Sequence, residues 1–315
     1  MTRFTKTCLL VAGVLSPAIA LAAPLVPGTG QKVAGMGDDF EDEKFSYTYN
    51  LPKASKEIDE RTRLPGGRSS NGRWSEGALR GTPDHVRRIE TPEGGLANSQ
   101  GSMLLQTLNS GVPGVLSYKG AQDDLLANSA VLRGPVSVSS SPSVVTRVYV
   151  PSFDKFERRT GVSFGFRAAL KGYGGPKNPD ELDDYWPGIF IRFMPKSNQP
   201  NSVDRARFLL RAGPTGADFW GPEITETGWY TLGMSFTPDG SVHYYIKQGV
   251  ENLTSADHVA SRNPYGFQAK YFFTFFFNVL SSDNGKSWST PWIVDDPTMY
   301  WNRPQATSSP RRGSR

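Results

Sequence analysis

Four segments of the 315-residue chain carry an arginine inside an apolar run: Arg147 in VVTRVYV, Arg167 in FGFRAAL, Arg192 in IFIRFMP, and Arg211, with Arg207, in RARFLLR. Side chains two apart on a strand share a face, so these cations would be set into a sheet surface rather than onto loops. If the strands neighbour one another, the arginines form a guanidinium band, which suits carboxylates or sulfates through bidentate hydrogen bonds. The alternative use is pairing with Asp and Glu on adjacent strands, since register is not legible here. Histidine and tyrosine are proton-transfer side chains. His243 and Tyr245 share a strand face with Lys247, Tyr149 shares one with Arg147, and His85 lies in PDHVRRIE beside Arg87 and Arg88.

The elements that must position these groups are strands. Trp229 to Gly249, WYTLGMSFTPDGSVHYYIKQG, alternates apolar and polar residues with period 2 on both arms. Between the arms, Pro238 presets φ and Gly240 is free to take positive φ, which predicts a hairpin. Further strands are predicted at Phe45 to Tyr49, Ser102 to Thr107, Val144 to Val150, Val162 to Leu170, Ile189 to Met194, Ala206 to Arg211, Tyr271 to Leu280 and Trp292 to Trp301. With no strong helical stretch between them, a doubly wound α/β fold is excluded. Tyr271 to Phe277 has aromatics on both faces, as a central strand covered on both sides would; a stacking platform for sugar rings is its functional reading. Residues 52 to 88 show no sustained period and read as a long surface excursion.

The pattern W-Y-T-L, F-x-P-D-G-x-V-x-Y-Y in this hairpin resembles the late strands of concanavalin A-like jelly rolls, the fold of many lectins, laminarinases and polysaccharide lyases. The resemblance implies an all-β jelly-roll sandwich of two antiparallel sheets and a carbohydrate ligand. The lyase branch implies β-elimination on an acidic polysaccharide. It would use Arg88, Arg147, Arg167, Arg192 or Arg211 as carboxylate clamp, His85 or His243 as base, and Tyr149 or Tyr245 as acid. The alternatives are a non-catalytic lectin-like or laminin G-like binding module, a glycoside hydrolase, and a structural surface protein. Laminarinase-like members carry E-x-D-x-x-E on one strand; Glu57 to Thr62 begins that pattern and ends in Thr. First and last strands are often neighbours in this fold, and several such families hold a structural Ca²⁺. Asp39 and Glu41 with Asp296 are the oxygen ligands that would hold it.

A basic start at Arg3 and Lys6, an apolar run from Cys8 to Leu15 and Ala20-Leu21-Ala22 read as a secretory signal over residues 1–22. A lead-in over 23–37, one domain over 38–303 and a disordered basic tail over 304–315 complete the expected organisation. Cys8, the one cysteine, falls in the signal, so the mature chain has neither disulfide, thiolate catalysis nor a Cys-based zinc site. The formal charge of +5 falls further when Arg3 and Lys6 leave; this mild excess and export argue against nucleic acid. The expectation is a secreted monomer without a membrane span or an organic cofactor.

Overall fold

The structure is a computed structural model. It describes residues 24–56, 60, 64–112, 115, 122–197 and 202–302; the expected signal and basic tail lie outside them. In chain order the strands are β1 (Gln31–Gly37), β2 (Tyr47–Thr48), β3 (Arg68–Ser69), β4 (Trp74–Glu76), β5 (His85–Glu90), β6 (Gly101–Gln106) and β7 (Gln122–Ala127). They continue with β8 (Val136–Ser137), β9 (Ser143–Val150), β10 (Gly161–Tyr173), β11 (Asp183–Tyr185), β12 (Gly188–Met194) and β13 (Arg205–Arg211). The last are β14 (Asp218–Ile224), β15 (Gly228–Phe236), β16 (Val242–Gln248), β17 (His258–Arg262), β18 (Gln268–Leu280) and β19 (Trp292–Trp301). No helix among the described residues is long and apolar enough to cross a membrane.

Every pairing between these strands is antiparallel, and they form two sheets that meet as a jelly-roll sandwich. The first sheet runs β17-β16-β15-β9-β19-β6-β5, with β1 alongside β19. The second runs β14-β13-β12-β10-β18-β7-β4-β3-β2, with β11 on β10 and β8 on β18. The expected hairpin is β15 and β16, paired from Tyr230↔Gln248 to Phe236↔Val242, and Gly240 takes φ +84° in its turn.

Period-2 alternation decides what each sheet buries. Phe164, Phe166, Ala168 and Leu170 of β10, Ile189, Ile191 and Phe193 of β12, and Phe275, Phe277 and Val279 of β18 all point into one core. Leu232, Met234 and Phe236 of β15 and Trp292, Val294 and Met299 of β19 meet them from the first sheet. At roughly 1.5–3 kcal/mol per fully buried large apolar side chain, this layer is the main stabilising term. The alternate residues of β10, β12, β13, β18 and β7 are thereby forced onto the outward face of the second sheet.

Two expectations need correction. Residues 31–37, read as a flexible lead-in, form β1 and pair with β19 from Gln31↔Trp301 to Gly37↔Thr298. The described residues between 52 and 88 are more than a surface excursion: they contribute β3, β4, the start of β5 and two buried anchors. Trp74 is fully buried, its ring stacked 5.9 Å from Phe40 and 5.6 Å from Phe277, with Nε1 donating to Asp38. Lys53 Nζ donates to Asp123 (2.6 Å), the Asn109 carbonyl (2.7 Å), Asp84 (3.0 Å) and Thr107 (3.3 Å). Strands of two or three residues are too short to show a period, which is why composition alone made this stretch look like a loop.

Burial works against the Lys53 charge, yet Asp123 and Asp84 hold its ammonium above the usual range. Burial also pushes the Asp123 carboxyl up to about 6, against the pull of Lys53. Removing one partner of a buried ion pair costs about 3–5 kcal/mol because the other is stranded. Lys53→Met is therefore expected to lower unfolding free energy by about 3 kcal/mol above neutral pH, read by urea denaturation. The loss should shrink in acid, where the stranded Asp123 takes up a proton; an equal loss at both pH values would contradict this account.

Candidate functional site

The outward face of the second sheet carries a cleft of about 400 Å³ whose lining includes Arg80, Gln122, Asp124, Arg167, Arg211 and Tyr265. Register explains how the arginines come together. Arg167 of β10 lies opposite Gly188 of β12, and Gly188 lies opposite Arg211 of β13, so the two cations flank a residue without a side chain. A Cβ on Gly188 would sit 2.6 Å from Arg167 Cγ, so the glycine is what lets the guanidinium lie down in the cleft.

Arg167 is 9 % exposed and lies between two rings, its Cζ 5.4 Å from the Phe190 centroid and 5.4 Å from that of Phe276. Cation–π attraction is strongest in such dry surroundings. Nη2 donates to the Trp186 carbonyl at 2.7 Å, while Nε is buried without a hydrogen-bond partner. Among the described residues Arg167 makes no ion pair. Burial, then the nearby Arg211, lowers its pKa to about 10, so it is still charged at neutral pH. A buried cation without a counter-ion is costly.

Asp124 relieves it in part, by attraction at a distance rather than through an ion pair. Asp124 Oδ1 accepts from Gln122 Nε2 and Asn278 Nδ2, each at 2.7 Å, rather than from Arg167. Burial pushes the Asp124 carboxyl up to about 6. Arg211 is satisfied by Asp218, with Nε and Nη2 donating at 2.7 and 3.1 Å, and this bidentate pairing raises its pKa. Tyr265 is supplied by a turn in which it takes φ +58°, its N–H donating to the Gly213 carbonyl at 2.7 Å. Non-glycine residues in this left-handed region are costly and concentrate at functional sites.

Of the expected clamp arginines, Arg167, Arg192 and Arg211 share this outward face. Arg147 does not, because β9 sits between β15 and β19 in the first sheet. It is buried there, donating to Asp296 (2.9 Å), Asn252 (3.1 Å) and the Val250 carbonyl (3.1 Å). Arg88, on β5 of the same sheet, donates Nε to the Phe40 carbonyl at 2.7 Å. The expected proton-transfer residues also lie on the first sheet and are not brought to the arginines. The His85 ring stacks on Trp288 at 4.5 Å; His243 is hydrogen-bonded to Thr237 (2.7 Å) and Ser261 (2.6 Å). Tyr149 meets Trp229 edge-on at 5.4 Å, and Tyr245 donates to the Pro24 carbonyl at 3.0 Å.

The carboxylates proposed for Ca²⁺ are spread out. β1 and β19 are neighbours, but Asp296 pairs with Arg147 and Lys32, and Glu41 accepts from the Gln100 and Gly101 backbone N–H groups. Asp39 accepts from the Glu41 N–H at 3.5 Å. Among the described residues no three His, Cys, Asp or Glu side chains gather to hold a metal. Most of Glu57 to Thr62 lies outside the described residues.

Asp124, Gln122, Asn278 and Tyr265 were missed from sequence. Asn278 had a signal, being polar inside the apolar β18; Asp124 had none, since Asp123-Asp124 reads as a solvated acidic pair.

No protein-family model and no curated protein sequence matches the chain. Among solved structures it is similar to a marine alginate lyase from Zobellia galactanivorans, at 13% identity over 68% of this chain and 83% of that one, TM-score 0.36. It is also similar to a β-glucanase catalytic domain from Podospora anserina, at 9% identity over 72% and 84% of the chains, TM-score 0.39. An endo-β-1,4-glucuronan lyase from Trichoderma reesei matches at 13% identity over 72% and 94%, TM-score 0.35. At such identities and TM-scores these likenesses carry no functional reading, which has to come from the cleft itself.

Because the folded pKa of Asp124 is raised, its contribution to stability is present in acid and lost as pH rises from the ordinary 3.8 through about 6. Asp124→Asn keeps an acceptor for Gln122 and Asn278 but cannot ionise. Urea denaturation below pH 3.8 and above pH 6 should show the wild type losing stability that the variant keeps, by up to about 3 kcal/mol. Parallel profiles would show that this carboxyl is ordinary.

Proposed function

We propose that this chain binds an acidic, uronate-bearing polysaccharide along the outward face of the second sheet and cleaves it by β-elimination. The observation that carries the reading is Arg167, a guanidinium in the cleft lining that is buried and makes no ion pair among the described residues. A uronate carboxylate on the cleft side of the guanidinium supplies the missing counter-charge. The Phe190 and Phe276 rings keep water from the pair, which strengthens it.

Neutralising the carboxylate acidifies the proton on the adjacent C5. Tyr265, the phenol beside Arg211 in the cleft lining, is the proton carrier in this scheme. Acting as phenolate, it takes the C5 proton, the C4–O bond breaks with its electron pair leaving on oxygen, and the same proton passes to that oxygen, which regenerates the phenolate. The products are a free hydroxyl end and a sugar with a C4=C5 double bond, so no co-reactant is required. Glycoside hydrolysis fits less well: it needs two facing carboxyl groups, and Asp124 is the only carboxylate among the described residues lining the cleft. A non-catalytic binding module is the second reading, favoured by the placement of His85, His243 and His258 on the first sheet.

The test is calorimetric binding to acidic and neutral polysaccharides, in parallel with ultraviolet absorbance of the unsaturated product. Binding and an absorbance rise are expected with an acidic polymer only. Arg167→Met should weaken binding at least about 30-fold, in line with ~2–5 kcal/mol for truncating one partner of a buried charge pair. It should not lower the melting temperature, because an apolar side chain replaces an uncompensated buried charge. Tyr265→Phe should bind and give no absorbance rise. Binding without product in the wild type would establish the binding module, and no binding to any acidic polymer would overturn the proposal.

A further inference from the structure

Beyond the cleft end formed by Arg167 and Arg211, the same face holds a second cationic group that the scheme above does not use. Arg192 of β12 and Arg207 of β13 lie directly opposite each other, and like charges so placed repel. Among the described residues neither makes an ion pair. Arg207 Nε donates to the Gly221 carbonyl at 2.7 Å, while Arg192 Nε is buried without a partner. Both guanidinium groups lie over one ring of Trp220 on the edge strand β14, Arg207 Cζ 5.1 Å and Arg192 Cζ 5.9 Å from it. Trp220 is 55% exposed.

This group is continuous with the cleft. Val162 lines the cleft and lies opposite Arg192 in the next strand, so the two loci share one surface. Gly188, between Arg167 and Arg211, is four residues from Arg192 on β12, a separation of ~13 Å along an extended strand. That is more than one sugar ring can span, so anions at the two loci must belong to different sugars of one chain.

We propose that Arg192, Arg207 and Trp220 form a second anion subsite that makes the protein selective for polymers charged on more than one sugar, resting on the acidic-glycan reading above. One anionic group of the chain sits on Arg167 and another between Arg192 and Arg207. That second anion relieves the repulsion between the two arginines, and a sugar ring stacks on the exposed Trp220 surface.

The experiment is calorimetric titration of the full-length protein with a ladder of oligouronates from monomer to hexamer, with tryptophan fluorescence recorded in parallel. Wild-type affinity should step up by at least about tenfold at the length that reaches both loci. Arg192→Gln and Arg207→Gln should each remove most of that step, leave the affinity of the shortest bound oligomer unchanged, and leave the melting temperature equal or higher. The fluorescence change should accompany only the longer oligomers and vanish in Trp220→Phe. A step that survives both arginine variants, or a smooth rise with length, would overturn the second subsite. If Arg167→Met binds short oligomers as the wild type does while the Trp220 signal with long ones persists, the acidic-glycan reading of the first locus fails and the second subsite stands. If no oligomer binds, both fail.

Discussion

Arg167 is held between the Phe190 and Phe276 rings, above a strand position that only glycine can occupy without displacing it, in a place where, among the described residues, its charge has one hydrogen bond and no ion pair. Moving a cation out of water in this way is unfavourable. The surrounding face is arranged around that cost rather than against it. Asp124 could have neutralised the guanidinium but is turned to Gln122 and Asn278, and Asp218 neutralises Arg211 alone. A sheet that leaves this charge without an ion pair among the described residues while pairing its neighbour has a surface suited to receiving an anion.

The rigidity that this requires comes from the layers beneath and beside it. β10 and β18 are thirteen residues each and pair along nearly their whole length, so Arg167 and Phe276 are fixed in one register. Their inward residues interlock with Trp292 and the β15 side chains. At the flank, β7 presents its two adjacent aspartates in opposite directions. Asp123 goes inward to Lys53 and Asp124 outward to the cleft, so the buried ion pair also fixes the strand that carries the cleft carboxyl.

The parts of this arrangement that were legible in the sequence are those with a period. The β15–β16 hairpin was readable because both arms alternate around a Pro-Asp-Gly turn. Arg167, Arg192 and Arg211 were readable because each interrupts an apolar run at a defined face. What alternation cannot give is which strands are neighbours. Arg147 has the same local pattern, but the chain order of β9 and β10 does not reveal that they belong to different sheets. The same limit separated His243 and Tyr245 from the arginines: their strand face is real, and it is the outer face of the other sheet. Tyr265 lay beyond reach for a different reason. It comes from an Asn-Pro-Tyr-Gly turn, and a turn signal says that the chain reverses without saying where the side chain goes. Trp74 was hidden in a three-residue strand, too short for any period.

The most direct test of the central claim is a crystal structure of the protein with an acidic oligosaccharide. The account predicts density on the outward face of the second sheet, with a carboxylate oxygen within hydrogen-bonding distance of the Arg167 guanidinium. An oligosaccharide seated on the first sheet, or on the second sheet with no anionic group on the Arg167 guanidinium, would contradict it.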